Sequence, residues 1–244
     1  MQMSSKRIAL VSGANKGIGL EIAEKLAQTG MRVFLGARNA ALGEAAAARL
    51  REQSLDVQFI ELDLVRAESI QAAAKQIDTE FGRLDVLVNN AGITDPSDGL
   101  PGQASIDAAR RVMETNFFGA LAVTQAMLPL LKKSASARIV NVSSGLGSLT
   151  FNRDPDWEFA RVKLIGYNAS KAALNMLTVQ LAAELGDTTI KVNAADPGFT
   201  ATDLNGHRGH QTIPQGAAEA IRLALLPDDG PSGNFSSASG PNPW

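Results

Sequence analysis

The chain contains no cysteine, which removes disulfides, thiolate nucleophiles and iron–sulfur ligation from consideration. It has 2 histidines, His207 and His210, and both lie in the glycine-punctuated stretch NGHRGH. A Ser-His-Asp hydrolase would have to use one of them, and a zinc site would need both plus carboxylates. That stretch reads as a mobile loop, so the imidazoles are expected at the surface or on the substrate side, with no metal site. An excess of one charge is also missing. The 23 basic residues face 25 acidic ones, which argues against nucleic acid or a membrane surface as the main partner. No apolar run approaches the ~20 residues of a bilayer span. The opening MQMSSKRIALVSG has too short an apolar run for a secretory leader. The expectation is a soluble cytoplasmic protein. What is present is 45% hydrophobic, enough to build a sizeable core.

Apolar runs alternate with helical patterns. RIALVS (7–12), MRVFLGA (31–37), VQFIEL (57–62), LDVLVNN (84–90), RIVNVSS (138–144) and IKVNAADPG (190–198) read as buried parallel strands, near-continuously apolar. Helical spacing lies between them: after residue 17, over about 40–53 and 67–80, to Leu131, around 167–184 and over about 214–226. A short GNFSS strand closes the pattern. This predicts an α/β fold, a Rossmann-type doubly wound sheet of about seven mostly parallel strands with helices on both faces. Residues 1–244 read as one dinucleotide-binding domain. Segments 94–105, 145–166 and 199–213 look irregular. All three follow the carboxyl ends of strands, where open α/β sheets bind ligands.

SGANKGIG (12–19) joins the first strand to the first helix. Gly13, Gly17 and Gly19 follow the spacing G-x-x-x-G-x-G. Glycine permits a tight turn and close backbone approach to a pyrophosphate, and a helix N-terminus offers unpaired N–H groups. An NAD-preferring fold usually ends its second strand with an acid for the ribose 2′-hydroxyl. Here Arg38 stands there and Lys16 lies in the cradle, so either a 2′-phosphate meets two cations or both are solvated surface charges.

The single tyrosine of the chain lies in YNASK (167–171). Lys171 follows four residues later, one helical turn away on the same face. Either the helix is amphipathic with an incidental phenol, or the pair is an acid and the cation that tunes it.

These motifs together make the chain resemble the short-chain dehydrogenase/reductase family along nearly its whole length. The residues that carry the resemblance are SGANKGIG, LDL (62–64), NNAG (89–92), Asn116 in ETNFFG, VSS (142–144), YNASK and DPG (196–198), in the family's order. The chain is most similar to the NADPH-dependent carbonyl reductases, which share the basic NKG cradle, an Arg after the second strand and a lengthened segment between Ser and Tyr.

The resemblance implies NADP(H)-dependent, reversible reduction of small ketones or aldehydes to alcohols at a Ser-Tyr-Lys-Asn relay. Tyr167 would be the general acid in reduction. Lys171, together with the positive nicotinamide of the oxidised cofactor, would lower the phenol's pKa, and it would hold the nicotinamide ribose. Ser144 would bind the substrate oxygen; it is chosen over Ser143 because the family's catalytic serine is second in the pair. Asn116 would position a relay water, or else serve a structural amide role. Cofactor contacts would come from Gly13, Asn15, Lys16, Gly17, Ile18, Gly19, Arg38, Asp63, Leu64, Asn90, Ala91, Gly92, Tyr167, Lys171, Pro197, Gly198, Thr200 and Thr202. Asp63 would accept from the adenine amino group or cap a helix.

Phe151, Trp157 and Phe159 line an apolar pocket or form the core of the 145–166 insertion. A cofactor-sensing regulator that has lost catalysis is the competing reading, and the presence of Ser144, Tyr167, Lys171 and Asn116 weighs against it. A homodimer, a homotetramer and a monomer all remain open.

Overall fold

A computed structural model describes residues 6–244. Eight strands form one sheet: β1 (Ile8–Ser12), β2 (Arg32–Ala37), β3 (Val57–Glu61), β4 (Val86–Asn89), β5 (Arg138–Val142), β6 (Lys191–Asp196), β7 (Phe235–Ser237) and β8 (Gly240–Pro241). Eight α-helices accompany them: α1 (Gly17–Gln28), α2 (Ala40–Glu52), α3 (Ala67–Phe81), α4 (Ile106–Met113), α5 (Ala120–Leu131), α6 (Leu149–Arg153), α7 (Ile165–Glu184) and α8 (Ile213–Ala224). The strand order is β3-β2-β1-β4-β5-β6-β7-β8. Pairing is parallel throughout except for β8, which runs antiparallel to β7. Chain direction across the sheet reverses between β1 and β4, where Ala9 lies opposite Val86. The crevice of a doubly wound sheet opens at that point, beyond the carboxyl ends of the strands.

Both faces of the sheet are covered, which is why its strands read as unbroken apolar runs. Alternate residues feed two cores. Ala9, Val11, Val33, Leu35, Val86 and Val88 pack against α1, α2 and α8 through Ile22, Leu26, Leu50 and Leu223. Ile8, Leu10, Phe34, Leu87, Ile139 and Val192 pack against α3, α5 and α7 through Ile77, Met127 and Leu181.

Three details depart from expectation. Two-residue β8 is too short to show any pattern. The helical region ending at Leu131 is interrupted by a π-helical turn, Glu114–Gly119, which no residue type signals. Segment 145–166 holds a 3-10 turn, Gly145–Gly147, and the short α6, whose first turn Ser148 caps by accepting from Phe151 N–H. Five residues are too few to reveal a helical period.

Candidate active site

The crevice is walled by the turn after β1, the ends of β4, β5 and β6, and the first turns of α7. Gly13 has φ +62°, and a Cβ there would lie 2.8 Å from Ala91 Cα, so only glycine fits. A Cβ at Gly19 would collide with the Asn90 amide and the Gly13 carbonyl. The turn is braced from β4. Asn90 Nδ2 donates to the carbonyls of Ser12 (2.9 Å) and Gly13 (3.1 Å), and the Ser12 hydroxyl accepts from the N–H groups of Asn90 and Ala91. Lys16 precedes α1 without capping it, so no side chain occupies the N–H groups of the first turn, Gly17, Ile18 and Gly19. The cradle therefore fits a dinucleotide pyrophosphate.

The other predicted contacts are spread around this turn. Asn15 is partly buried within it, and Arg38 is exposed directly after β2. The Lys16 ammonium pairs across the crevice with Asp203, whose other oxygen accepts from His207 Nε2 at 2.7 Å. Thr202 faces Gly17, its methyl 4.0 Å from where a Cβ would stand. Asp63 Oδ1 accepts from Val65 N–H, while Arg66, not Asp63, is the residue that precedes α3. Leu64 is buried against Gly119 of the π-helical turn. Thr200 is buried, its hydroxyl donating to the Pro197 carbonyl beneath Gly216 of α8. It anchors the 199–213 loop.

At the end of β5 the two serines part company. The Ser143 hydroxyl points inward and donates to Asn175 Oδ1. The Ser144 hydroxyl accepts from Leu146 N–H at 3.2 Å and faces the Tyr167 phenol. Lys171 lies on the same face of α7, its Nζ 5.7 Å from the Tyr167 ring centre and donating to the Val142 carbonyl at 2.8 Å. Asn116 is spoken for. Its Oδ1 accepts from Ile93 N–H (2.8 Å), and its Nδ2 donates to the Ile93 carbonyl and to Ser170 Oγ (both 3.0 Å). Gly92 sits against both Asn116 and Lys171. Phe151 and Trp157 stack with centres 5.1 Å apart and abut Gly145, the residue after Ser144. Trp157, Phe159 and Phe199 continue the ring series to the loop after β6.

Burial sets the electrostatics of the pair. The Tyr167 phenol is pushed up to about 12, first by burial and then by the Asp196 carboxylate, with Ser144 opposing. Burial lowers the Lys171 ammonium to about 8, with Asp196 opposing.

A model of the short chain dehydrogenase family matches residues 7–212. The chain belongs to the short-chain dehydrogenase family. It is 38% identical to short-chain dehydrogenase anuI of Penicillium roqueforti, over 92% of this chain and 90% of that protein. It is 35% identical to the NADPH carbonyl reductase 1 of Sus scrofa, over 95% and 92%. The solved structure of an NADPH-bound carbonyl reductase from chicken fatty liver superposes with TM-score 0.84 at 28% identity, covering 100% of this chain and 97% of that one. Members of this oxidoreductase family use nicotinamide cofactors.

Two acids in this short-chain dehydrogenase carry positions that motif reading missed. Leu164, which precedes α7, cannot cap it, and Asp98 does so from 68 residues away. Its Oδ1 accepts from Gly166 N–H and its Oδ2 from Tyr167 N–H, each at 2.9 Å. Beside it, Ile165 N–H donates to the Gly99 carbonyl at 2.9 Å. Segment 94–105 thus sets the start of the helix that carries Tyr167. The second acid is Asp196 of DPG. No metal-binding cluster of His, Cys, Asp or Glu occurs among the described residues, and no helix there is long and apolar enough to cross a membrane.

Asp98→Ala is expected to cost about 1–2 kcal/mol of stability, as caps do, and to lower kcat more than it raises KM; denaturant titration and steady-state kinetics check both. The lone tyrosine makes phenolate absorbance specific for Tyr167. In cofactor-free protein it should stay flat through the range where a free phenol ionises, near ~10. A rise centred there in protein with native circular dichroism would contradict the buried, anion-flanked phenol.

Proposed function

We propose that the chain is an NADP(H)-dependent carbonyl reductase acting on small ketones or aldehydes. The observation that carries this reading is a buried phenol facing Ser144, with Lys171 one helical turn away and its Nζ 5.7 Å from the ring centre, at the mouth of a phosphate cradle. When bound, the reduced nicotinamide supplies the hydride. The residues of the chain do the rest. Ser144 donates a hydrogen bond to the substrate oxygen and stabilises the charge that develops there. Tyr167 gives its proton to that oxygen as the alcohol forms, and Lys171 Nζ holds the nicotinamide ribose and stands ready to return a proton. Asn116 fixes the Ile93 backbone beside Lys171; its bonds to Ile93 and Ser170 support the structural reading of its amide more than direct positioning of a water.

Arg38 and Lys16 are the cations available to a 2′-phosphate. Lys16 would exchange Asp203 for it, an easy trade for an exposed ion pair. Phe151, Trp157, Phe159 and Phe199 give the substrate side an apolar, aromatic wall suited to carbonyl compounds with ring or hydrocarbon faces.

Tyr167→Phe should cut ketone reduction by about 10²–10⁴-fold while leaving NADPH binding close to wild type by fluorescence titration. Wild-type turnover in that variant would remove the proton donor. Arg38→Asp deletes a charge-assisted bond worth about 1.5–3 kcal/mol. It should lower kcat/KM for NADPH by about 10–100-fold and shift preference towards NADH. An unchanged ratio would place the 2′-phosphate elsewhere.

A further inference from the structure

Asp196, the last residue of β6, has no part in the steps above. Its carboxylate nevertheless joins three segments. Oδ1 accepts from Gly198 N–H (3.0 Å) and Oδ2 accepts from Asn242 Nδ2 (2.9 Å), while the Gly145 backbone faces the carboxylate and lowers its pKa. Gly145 follows Ser144, and Gly198 ends the turn after β6. Asn242 belongs to the C-terminal segment, which Thr150 pins by donating from its N–H and hydroxyl to the Trp244 carbonyl. A Cβ at Gly145 would come within 3.1 Å of Asp196 Oδ2, so the serine turn is closed tightly onto the carboxylate.

The titratable groups that act on Asp196 are Tyr167 and Lys171, both from α7; its partners on the other elements, Gly145, Gly198 and Asn242, carry no charge. Burial raises the Asp196 carboxyl above the usual carboxylate range, and its donors and the Lys171 ammonium offset that only in part.

We propose that Asp196 is a positioning residue of the reductase site: its carboxylate holds the Pro197–Gly198 turn and the C-terminal segment through Gly198 and Asn242 and closes against Gly145, fixing the Ser144 turn beside the Tyr167 phenol. Its removal is read at that phenol, whose proton an anion at this place retains. The inference rests on Tyr167 as proton donor, but its test needs neither cofactor nor turnover.

In cofactor-free Asp196→Asn, the phenolate midpoint should fall by on the order of one pH unit. Asp196→Glu keeps the charge and should keep the wild-type midpoint. Natively folded Asp196→Asn with an unshifted midpoint overturns the proposal. Should that variant not fold, Asn242→Ala decides, because it loosens the clamp and retains the charge. It should leave the midpoint in place and lower kcat several-fold, about 3–10-fold for one lost hydrogen bond; unchanged kcat refutes the clamp. An inactive wild type would refute the reductase reading alone, since the titration would still judge Asp196.

Discussion

Burial of one phenol governs this site. A hydroxyl surrounded by protein and faced by a carboxylate keeps its proton far above neutral pH. Lys171 answers to the same burial in the opposite sense, its ammonium lowered to about 8. The two groups are placed by one helix, and the helix by Asp98 at its start and the buried Ser143–Asn175 bond along its side. Around that helix most buried polar side chains are matched, although Asn89 Oδ1, Asn168 Oδ1 and Asn175 Nδ2 have no partner. Asn89 donates to Thr124 and Asn141, and Asn141 donates to Thr178, so β4 and β5 are tied to α5 and α7 beneath the crevice. Bonds of this kind hold the strands and helices around the crevice in a fixed relation.

The sheet explains why these groups meet at all. Parallel strands deliver all their carboxyl ends to one edge, and each functional turn leaves from such an end: the glycine turn from β1, Asn90 from β4, Ser144 from β5, Asp196 from β6. None of these turns is close to another in sequence, yet adjacent registers bring them within hydrogen-bonding range.

Much of this was readable from the residues. Fully buried parallel strands leave a strong apolar signature, and the glycine turn, NNAG and YNASK mark the strand ends and the helix face. What escaped was set by distance along the chain. Asp98 caps a helix it does not adjoin, so no local capping pattern betrays it. Asp196 sat in view within DPG, but its meaning depends on Asn242, 46 residues on, and on Gly145. The state of Tyr167 without cofactor escaped for a related reason. Spacing shows that a lysine is one turn away, whereas burial and the opposing acid exist only once β6 and the C-terminal segment have closed in. Ser143 and Ser144 likewise differ only in which side of the strand end each hydroxyl leaves.

The pairing of β1 with β4 bears on how the molecule assembles. Strand β1 pairs with β2, its neighbour in the chain, but the Asn90 brace comes only with β4, three helices and two strands further along. Closing so long a loop is slow and entropically costly. The glycine turn is consequently a late-maturing part, and half-assembled chains should offer a dinucleotide no foothold.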